Sequence, residues 1–484
     1  MNKYAESLIT ISKLLLLGVI PNQEAVKMKI SRISLNGNKR GKQIARECMA
    51  HHYDPLARKE QFGPLMESLG TVSVRDIDRA LKHGRSLTME EAFCGMAYVI
   101  AATNLRFYEL FHCQLADLYG SNLSPEHIIA IGTAFLQVMA AKETYRGLTP
   151  EEVAGLAAAS MMDTIFQIDF SEVIETCGMG GDKGFSHNGF GKKTINASTL
   201  SAIVLNALGE PVIKHGSYAN TSAVGSTEAI ELFGARTDMG SMEDVERIWE
   251  RSGFCFLDAH WCKTIHDLSH LLMMETINHV VGPMSPPITP YTRIHRLMGV
   301  NEKVHPSVIA RAYAILHQRG IQSVGGVAVV GGLDRYISEV NVDDVEIFRE
   351  HCVLDELSPI ASVVSIAHEG NYRGSFLVTP HCFGIGIDPE QVLVKNKSEA
   401  IQTANARALK GEDKNLSAYL AMNAAMGLFA KRHAGCDTAF LERRINPEYL
   451  QLCYQECHEA IMSGRAWQAL VAYVEASGGK MSYF

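Results

Sequence analysis

The sequence predicts an α/β protein: a mainly parallel sheet flanked by helices, joined to a smaller all-helical domain and preceded by an N-terminal extension. Three observations predict it. From about Ser171 onward, apolar strand-like runs (173–177, 212–214, 254–257, 324–330 and 376–379) recur between helix-like stretches. That alternation is the pattern of parallel sheets covered on both faces. Residues 87–170 instead place cap residues ahead of apolar residues at helical spacing. Finally, three polar, glycine-bearing turns punctuate the apolar segments between Glu175 and Gly234, where the carboxyl ends of parallel strands gather and ligands bind. The boundaries follow: an extension over 1–84, a helical domain over 85–170 joined by part of 258–300, and an α/β domain over 171–484.

At 484 residues the chain holds two or three domains. A formal net charge of −8 argues against a general nucleic-acid or membrane-surface protein. The eleven cysteines are scattered without a zinc-like spacing, which reads as reduced thiols in a cytoplasmic protein. The apolar run from Leu8 to Ile20 is interrupted by Lys13 and is too short to span a bilayer. Without the flanks of a signal peptide, it reads as a buried or interface helix. The basic stretch from Asn36 to Lys42 reads as a solvated loop.

Helix starts are written plainly in the next segment. Thr88 precedes Glu90 and Glu91, Ser124 precedes Pro125 and Glu126, and Thr149 precedes Pro150, Glu151 and Glu152. Each places a cap, then proline or acids, in a first turn. Ile128, Ile131, Phe135 and Met139 follow at helical spacing and read as core. The last hundred residues return to helical patterns.

The chemistry lies in the glycine-bearing turns. Gly178-Met179-Gly180-Gly181-Asp182 is the first, Thr194-Ile195-Asn196-Ala197-Ser198-Thr199 the second, and Lys214-His215-Gly216 the third. Glycines let backbone N–H groups approach an anion, and a following helix N-terminus adds a positive dipole end. Asn196, Ser198 and Thr199 are expected at the start of a helix through Ala202, Val204, Leu205 and Leu208. Lys214 ends an apolar strand and is expected to bring one charge to the same rim. One such turn alone is ordinarily a turn or a cap. Three in one strand–turn–helix succession read as a cradle for a phosphorylated ligand.

The order of these turns resembles the anthranilate phosphoribosyltransferase family, with pyrimidine nucleoside phosphorylases as more distant relatives of the same fold. The resemblance covers about Leu87 to Gly478 and includes Leu354-Asp355-Glu356-Leu357-Ser358 and the string from Phe376 to Gly386. It implies a homodimeric enzyme that uses Mg²⁺ and phosphoribosyl diphosphate. By the same resemblance, Gly178, Gly180, Gly181, Asp182, Thr194, Asn196, Ser198, Thr199, Lys214, Thr221, Ser222 and Ser226 contact that donor. Ser198, Asp355 and Glu356 are implied metal ligands. His215, Ser217, His260 and Ser269 are placed at the aromatic acceptor. A competing acidic motif at Gly331-Gly332-Leu333-Asp334-Arg335 carries an arginine where the second carboxylate belongs, so Asp355 and Glu356 are preferred. The glycine- and lysine-rich insertion 183–193 reads either as a flap over the diphosphate or as a solvated loop; a second insertion spans 333–353.

The acceptor half departs from the family. Ser217 stands where an asparagine touches anthranilate, and registering Gly282-Pro283-Met284 puts Ser269 at the position of the carboxylate-binding arginine. Cys262 occupies a histidine position. No arginine occurs between Arg251 and Arg293. The expected activity is therefore phosphoribosyl transfer to an aromatic or heteroaromatic acceptor other than anthranilate. A nucleoside phosphorylase-like enzyme, whose Lys-His-Ser-Thr-Gly-Gly motif is absent, and a non-catalytic nucleic-acid-binding or regulatory relative are the alternatives.

Overall fold

The structure, a computed structural model, describes residues 59–482 apart from 105–106, 109–110, 112–117, 120–122, 164–169, 186–191, 220–221, 238–241, 260–264 and 273. The apolar run at Leu8–Ile20, the basic stretch at 36–42, Thr221 and His260 therefore lie outside the described residues. The chain divides into two compact units.

The helical unit takes the described part of Met1–Ile168 together with Ala259–Ile288. It contains α1 (Lys59–Ser68), α2 (Val74–Lys82), α3 (Met89–Ala101), α4 (Pro125–Arg146) and α5 (Pro150–Met162), plus helices at Ile265–Leu272 and Asn278–Met284. Thr88, Ser124 and Thr149 are N-caps of α3, α4 and α5, each accepting a bond from an amide one turn in. The expected extension over 1–84 is corrected in its last part. Here α1 and α2 pack on α3 and belong to the helical unit, because Phe62, Leu65, Met66 and Ile77 are apolar and buried. One charged link inside this unit is well paired: Lys142 Nζ meets Glu152 at 2.7 Å, and Glu152 also accepts the Leu87 amide at 2.7 Å.

The α/β unit comprises Asp169–Asp258 and Thr289–Phe484. Its strands include β1 (Glu172–Gly178), β2 (Lys192–Lys193), β3 (Val212–Gly216), β4 (Phe254–Asp258), β5 (Arg293–Gly299), β6 (Val324–Leu333), β7 (Cys352–Leu354), β8 (Ala361–His368), β9 (Asn371–Val378) and β10 (Val394–Lys395). The main sheet runs β4-β3-β1-β5-β6-β8-β9, with β7 added beside β6. The five strands from β4 to β6 are parallel. All ten residues of β6 are buried, the continuous apolar run of a strand covered on both faces.

Sequence reasoning missed β5 and β8 and the antiparallel turn of the sheet. β8 and β9 pair as a hairpin whose two-residue turn, Glu369-Gly370, takes φ of 45° and 78°. Both turn residues at positive φ match the twist of the flanking strands, but glutamate gives little sign of such a turn in sequence. Four helices of this unit matter below: α6 (Ala197–Ala207), α7 (Ser226–Leu232), α8 (Ser398–Lys410) and α9 (Lys414–His433). α9 is packed against β5, β6 and α6, and most of its length is buried. Gly178 pairs with Gly299 and Gly216 with Asp258, so the parallel strands end side by side and form one rim.

Candidate active site

The first glycine turn leaves β1 at this rim. Gly180 and Gly181 take φ of 73° and 71°, a left-handed pair that residues with a Cβ resist. Gly178 has a different reason: a Cβ there would overlap the Asp355 carboxylate. The Gly180 amide donates to Asp355 Oδ2 at 2.6 Å. The turn and the acidic motif, far apart in sequence, are thus one structure. Asp334 of the competing motif instead lies beside Arg335 and His351.

Glu356 follows into the same place. Its Oε1 accepts the Thr194 hydroxyl and, at 2.9 Å, the hydroxyl of Tyr419. Asp182 meets Lys193 Nζ at 2.6 Å. Burial, then repulsion from Asp355, pushes the Asp182 carboxyl up to about 6 against the pull of Lys193. Burial and Asp355 push Glu356 up to about 8, although Thr194 and Tyr419 favour its charged form. Three acids, with Lys193 paired to Asp182 and the buried Lys214 acting on Asp355 across space, form a group short of positive charge. The adjacent Asp355 and Glu356 offer carboxylate oxygens, the ligand type a hard divalent cation takes.

The second turn opens α6, with Asn196 at the N-cap position. Asn196 and Asn405 of α8 hold each other: the Asn196 amide donates to Asn405 Oδ1 at 2.9 Å, and Asn405 Nδ2 donates to Asn196 Oδ1 at 2.8 Å. Asn196 Nδ2 reaches the Val224 carbonyl at 3.0 Å, tying this turn to the serine-bearing one. The Ser198 carbonyl accepts the Thr176 hydroxyl at 2.6 Å. Thr199 Oγ1 is buried with no hydrogen-bond partner among the described residues, in the first turn of a helix whose N-terminus favours anions.

Lys214 differs from expectation. It lies inside β3 rather than at its end, is 1% exposed, and its Nζ donates to the Thr176 carbonyl at 3.0 Å. Burial lowers its pKa. The chain continues as β3 to Gly216, where a Cβ would collide with Ser226 at the start of α7. Ser222 exchanges hydrogen bonds with Val224. Ser217 is exposed, and its carbonyl accepts the Thr227 amide at 3.2 Å.

His215, the next residue on β3, bonds through Nδ1 to the Glu175 carboxylate, which also accepts the His215 amide at 3.2 Å. Glu175 sits opposite Arg296 in the β1–β5 register and forms an ion pair with it. Neither Glu175 nor Arg296 is exposed to any degree. Glu175, Cys177 and His215 bring ligand-type atoms together, but the guanidinium of Arg296 already supplies the cation. Ser269 belongs to the helical unit, where it shares hydrogen bonds with Thr276 and Asn278. In the second insertion, residues 345–351 form a helix that leads into β7. In the first, Lys192–Lys193 pairs antiparallel with β10, and Lys192 meets Glu390 at 2.6 Å.

Comparison with known proteins follows this geometry. Residues 171–324 match the model of the glycosyl transferase family α/β domain. The anthranilate phosphoribosyltransferase of Pyrococcus furiosus is 30% identical over 303 residues, 60% of this chain and 78% of that one. That of Methanococcus maripaludis is 29% identical over 346 residues, 69% and 90% of the two chains. The chain belongs to the anthranilate phosphoribosyltransferase-like family. It is an enzyme of the pentosyltransferase class. The crystal structure of the Thermus thermophilus enzyme shares the fold, with a TM-score of 0.58 at 23% identity, covering 83% of this chain and 99% of that one. The Saccharomyces cerevisiae enzyme, solved in complex with phosphoribosyl diphosphate and Mg, gives 0.54 at 19% identity, covering 88% and 99%.

Sequence reasoning did not identify Tyr419, Asn405 or the pairing of Glu175 with Arg296 as parts of this region. An acid in the middle of an apolar strand and an arginine in the middle of RIHRLMG are readable signals, since buried charges require partners. Nothing local marks Tyr419 or Asn405.

Proposed function

We propose that this enzyme moves the 5-phosphoribosyl group from phosphoribosyl diphosphate to an aromatic or heteroaromatic acceptor other than anthranilate. The observation that carries the reading is the arrival of Asp355 and Glu356 at the turn from Gly178 to Asp182. Departure of diphosphate leaves oxocarbenium character at C1 of the ribose, so the protein's task is to position the donor and stabilise the leaving charge. Asp355 and Glu356, with Ser198 of the second turn, would hold Mg²⁺, which would neutralise charge on the diphosphate. The N-terminus of α6 and the turn from Gly178 to Asp182 would take the anion, with Thr199 in the first turn of that helix. Thr221, Ser222 and Ser226 complete the donor side. Calorimetry with phosphoribosyl diphosphate tests this: binding is expected with Mg²⁺ and not after EDTA treatment, and equal affinity in both would remove the metal from the reading.

On the acceptor side we assign His215 and Ser217 of the α/β unit. The argument against anthranilate is electrostatic. Its carboxylate needs a bidentate cation, and serine cannot replace one. Two arginines just outside the arginine-free stretch 252–292 are committed elsewhere: Arg293 pairs with Glu369 and Glu172, and Arg296 is buried against Glu175. Anthranilate is expected to turn over at least about a hundredfold less efficiently than the true acceptor. Loss of anthranilate fluorescence under saturating donor measures it, and efficient turnover would defeat the assignment.

We also infer a homodimer formed through the helical unit, in the cytoplasm. Ala130, Ala134, Val138, Ala141 and Tyr145 lie on α4 at steps of three and four residues and are all exposed, an apolar stripe that a second copy would cover. The described cysteines are free thiols. Among the described residues no helix is long and apolar enough to cross a membrane. Light scattering that reports a monomer at micromolar concentration would contradict the dimer.

A further inference from the structure

Glu356 is one of two acids that the proposed reading gives to the metal. How a glutamate with three rotatable bonds is held for that task is visible from α9. Its Tyr419 and Asn423 stand one helical turn apart and reach the acidic motif together. Tyr419 donates to Glu356 Oε1 at 2.9 Å, and Asn423 Oδ1 accepts the amide of the next residue, Leu357, at 2.9 Å. Asn423 also donates to the Tyr419 carbonyl at 3.1 Å. Tyr419 is wholly buried on a helix packed against β5 and β6, so its hydroxyl has a fixed origin.

The second donor to Glu356, the Thr194 hydroxyl, lands on the same oxygen. Among the described residues no donor reaches Oε2. Two donors on one oxygen orient the carboxylate and leave the other oxygen for a cation, as outer partners do for metal-bound carboxylates. We propose that Tyr419 is a positioning residue: with Thr194 it pins Oε1 of Glu356 so that Oε2 is presented to a divalent cation. This rests on the metal reading given above and adds a residue that the phosphate-binding turns do not include.

The test counts bound Mn²⁺, an oxygen-seeking substitute for Mg²⁺, from the loss of the free-ion electron paramagnetic resonance signal. Wild type and Tyr419→Phe are compared in full-length protein, with melting temperature measured without metal as the control for packing. Phe keeps the ring and removes only the hydroxyl. The expected result is Mn²⁺ affinity weaker by about tenfold, with a higher apparent KM for the metal and a smaller change in kcat at saturating metal. An unchanged affinity in folded Tyr419→Phe overturns the inference and leaves the metal reading intact. No binding by wild type overturns the metal reading and this inference with it. Should Tyr419→Phe fail to fold, Thr194→Val removes the other donor to Oε1. The same weakening is expected there, and unchanged affinity again overturns the inference.

Discussion

Beneath the rim of the α/β unit, Glu175 is answered by Arg296 and His215, whereas among Asp182, Asp355 and Glu356, Lys193 forms an ion pair with Asp182, and Lys214 acts on Asp355 across space. Both groups are largely removed from water, so the contrast is one of compensation rather than burial. In the first, a carboxylate lies opposite a guanidinium on the next strand, and a histidine takes its other oxygen. In the second, burial and mutual repulsion push Asp182 and Glu356 toward the protonated form. A protein does not gather acids without cations for stability alone. The first cluster is complete within the chain, and the second is suited to a cation from outside it.

Neutralising the open cluster tests this contrast most severely. Asp355→Asn together with Glu356→Gln is expected to reduce turnover by a factor on the order of a thousand, about 4 kcal/mol of transition-state stabilisation. The metal-free melting temperature should hold or rise, because the substitutions relieve repulsion. A large fall in that temperature would mean the acids are structural. In the closed cluster the opposite holds. Arg296→Met leaves Glu175 buried without its cation and should cost about 3–5 kcal/mol of stability, measured by urea denaturation. Adding Glu175→Gln should recover much of it, and failure to recover would show that Arg296 acts through packing instead.

The two clusters also separate by pH. Asp182 and Glu356 have folded values near 6 and 8, above their ordinary 3.8 and 4.5. Their contribution to stability is therefore fully present below the ordinary values and is lost as pH rises through 6 to 8. Metal-free protein should melt at a lower temperature at pH 8.5 than at pH 5.5, and Mg²⁺ should narrow that gap. Equal melting temperatures in EDTA would show that the open cluster is compensated already.

A smaller effect is expected at Glu210, which meets Lys431 and Arg432 at 2.6 Å each. Burial raises its carboxyl, but the hydrogen bonds from Lys431 and Arg432 outweigh this and hold it below 4.5. Its contribution is present above that value and is lost as pH falls through the lowered one. Glu210→Gln should cost about 1 kcal/mol near neutrality and nothing at the acid end, as paired urea titrations would record.

Local chemistry made much of this legible. Thr88, Ser124 and Thr149 write helix starts because a cap and its amide are three residues apart. The turn from Gly178 to Asp182 is legible because left-handed backbone selects glycine. The strand from Phe254 and the buried run from Val324 are continuous apolar segments, readable for the same reason. β5 was not, since RIHRLMG carries three charged or polar side chains in seven residues, and its charges make sense only beside Glu175 and Glu172. Lys214 was expected at the end of its strand and lies inside β3, because an apolar run does not mark where a strand stops.

By itself the sequence determined the order of the glycine-bearing turns, the acidic pair that follows them and the absence of arginine between 252 and 292. Each is a property of contiguous residues, governed by backbone geometry or by plain composition. Only the tertiary structure decided that Asp355 closes on Gly180, that Arg296 is spent on Glu175, and that Tyr419 and Asn405 reach Glu356 and Asn196 from the C-terminal helices. Those partners are separated by 63 to 209 positions along the chain or lie on neighbouring strands. Hydrogen bonds and ion pairs act over a few ångströms of space, and the sheet and its helices set which distant residues share it.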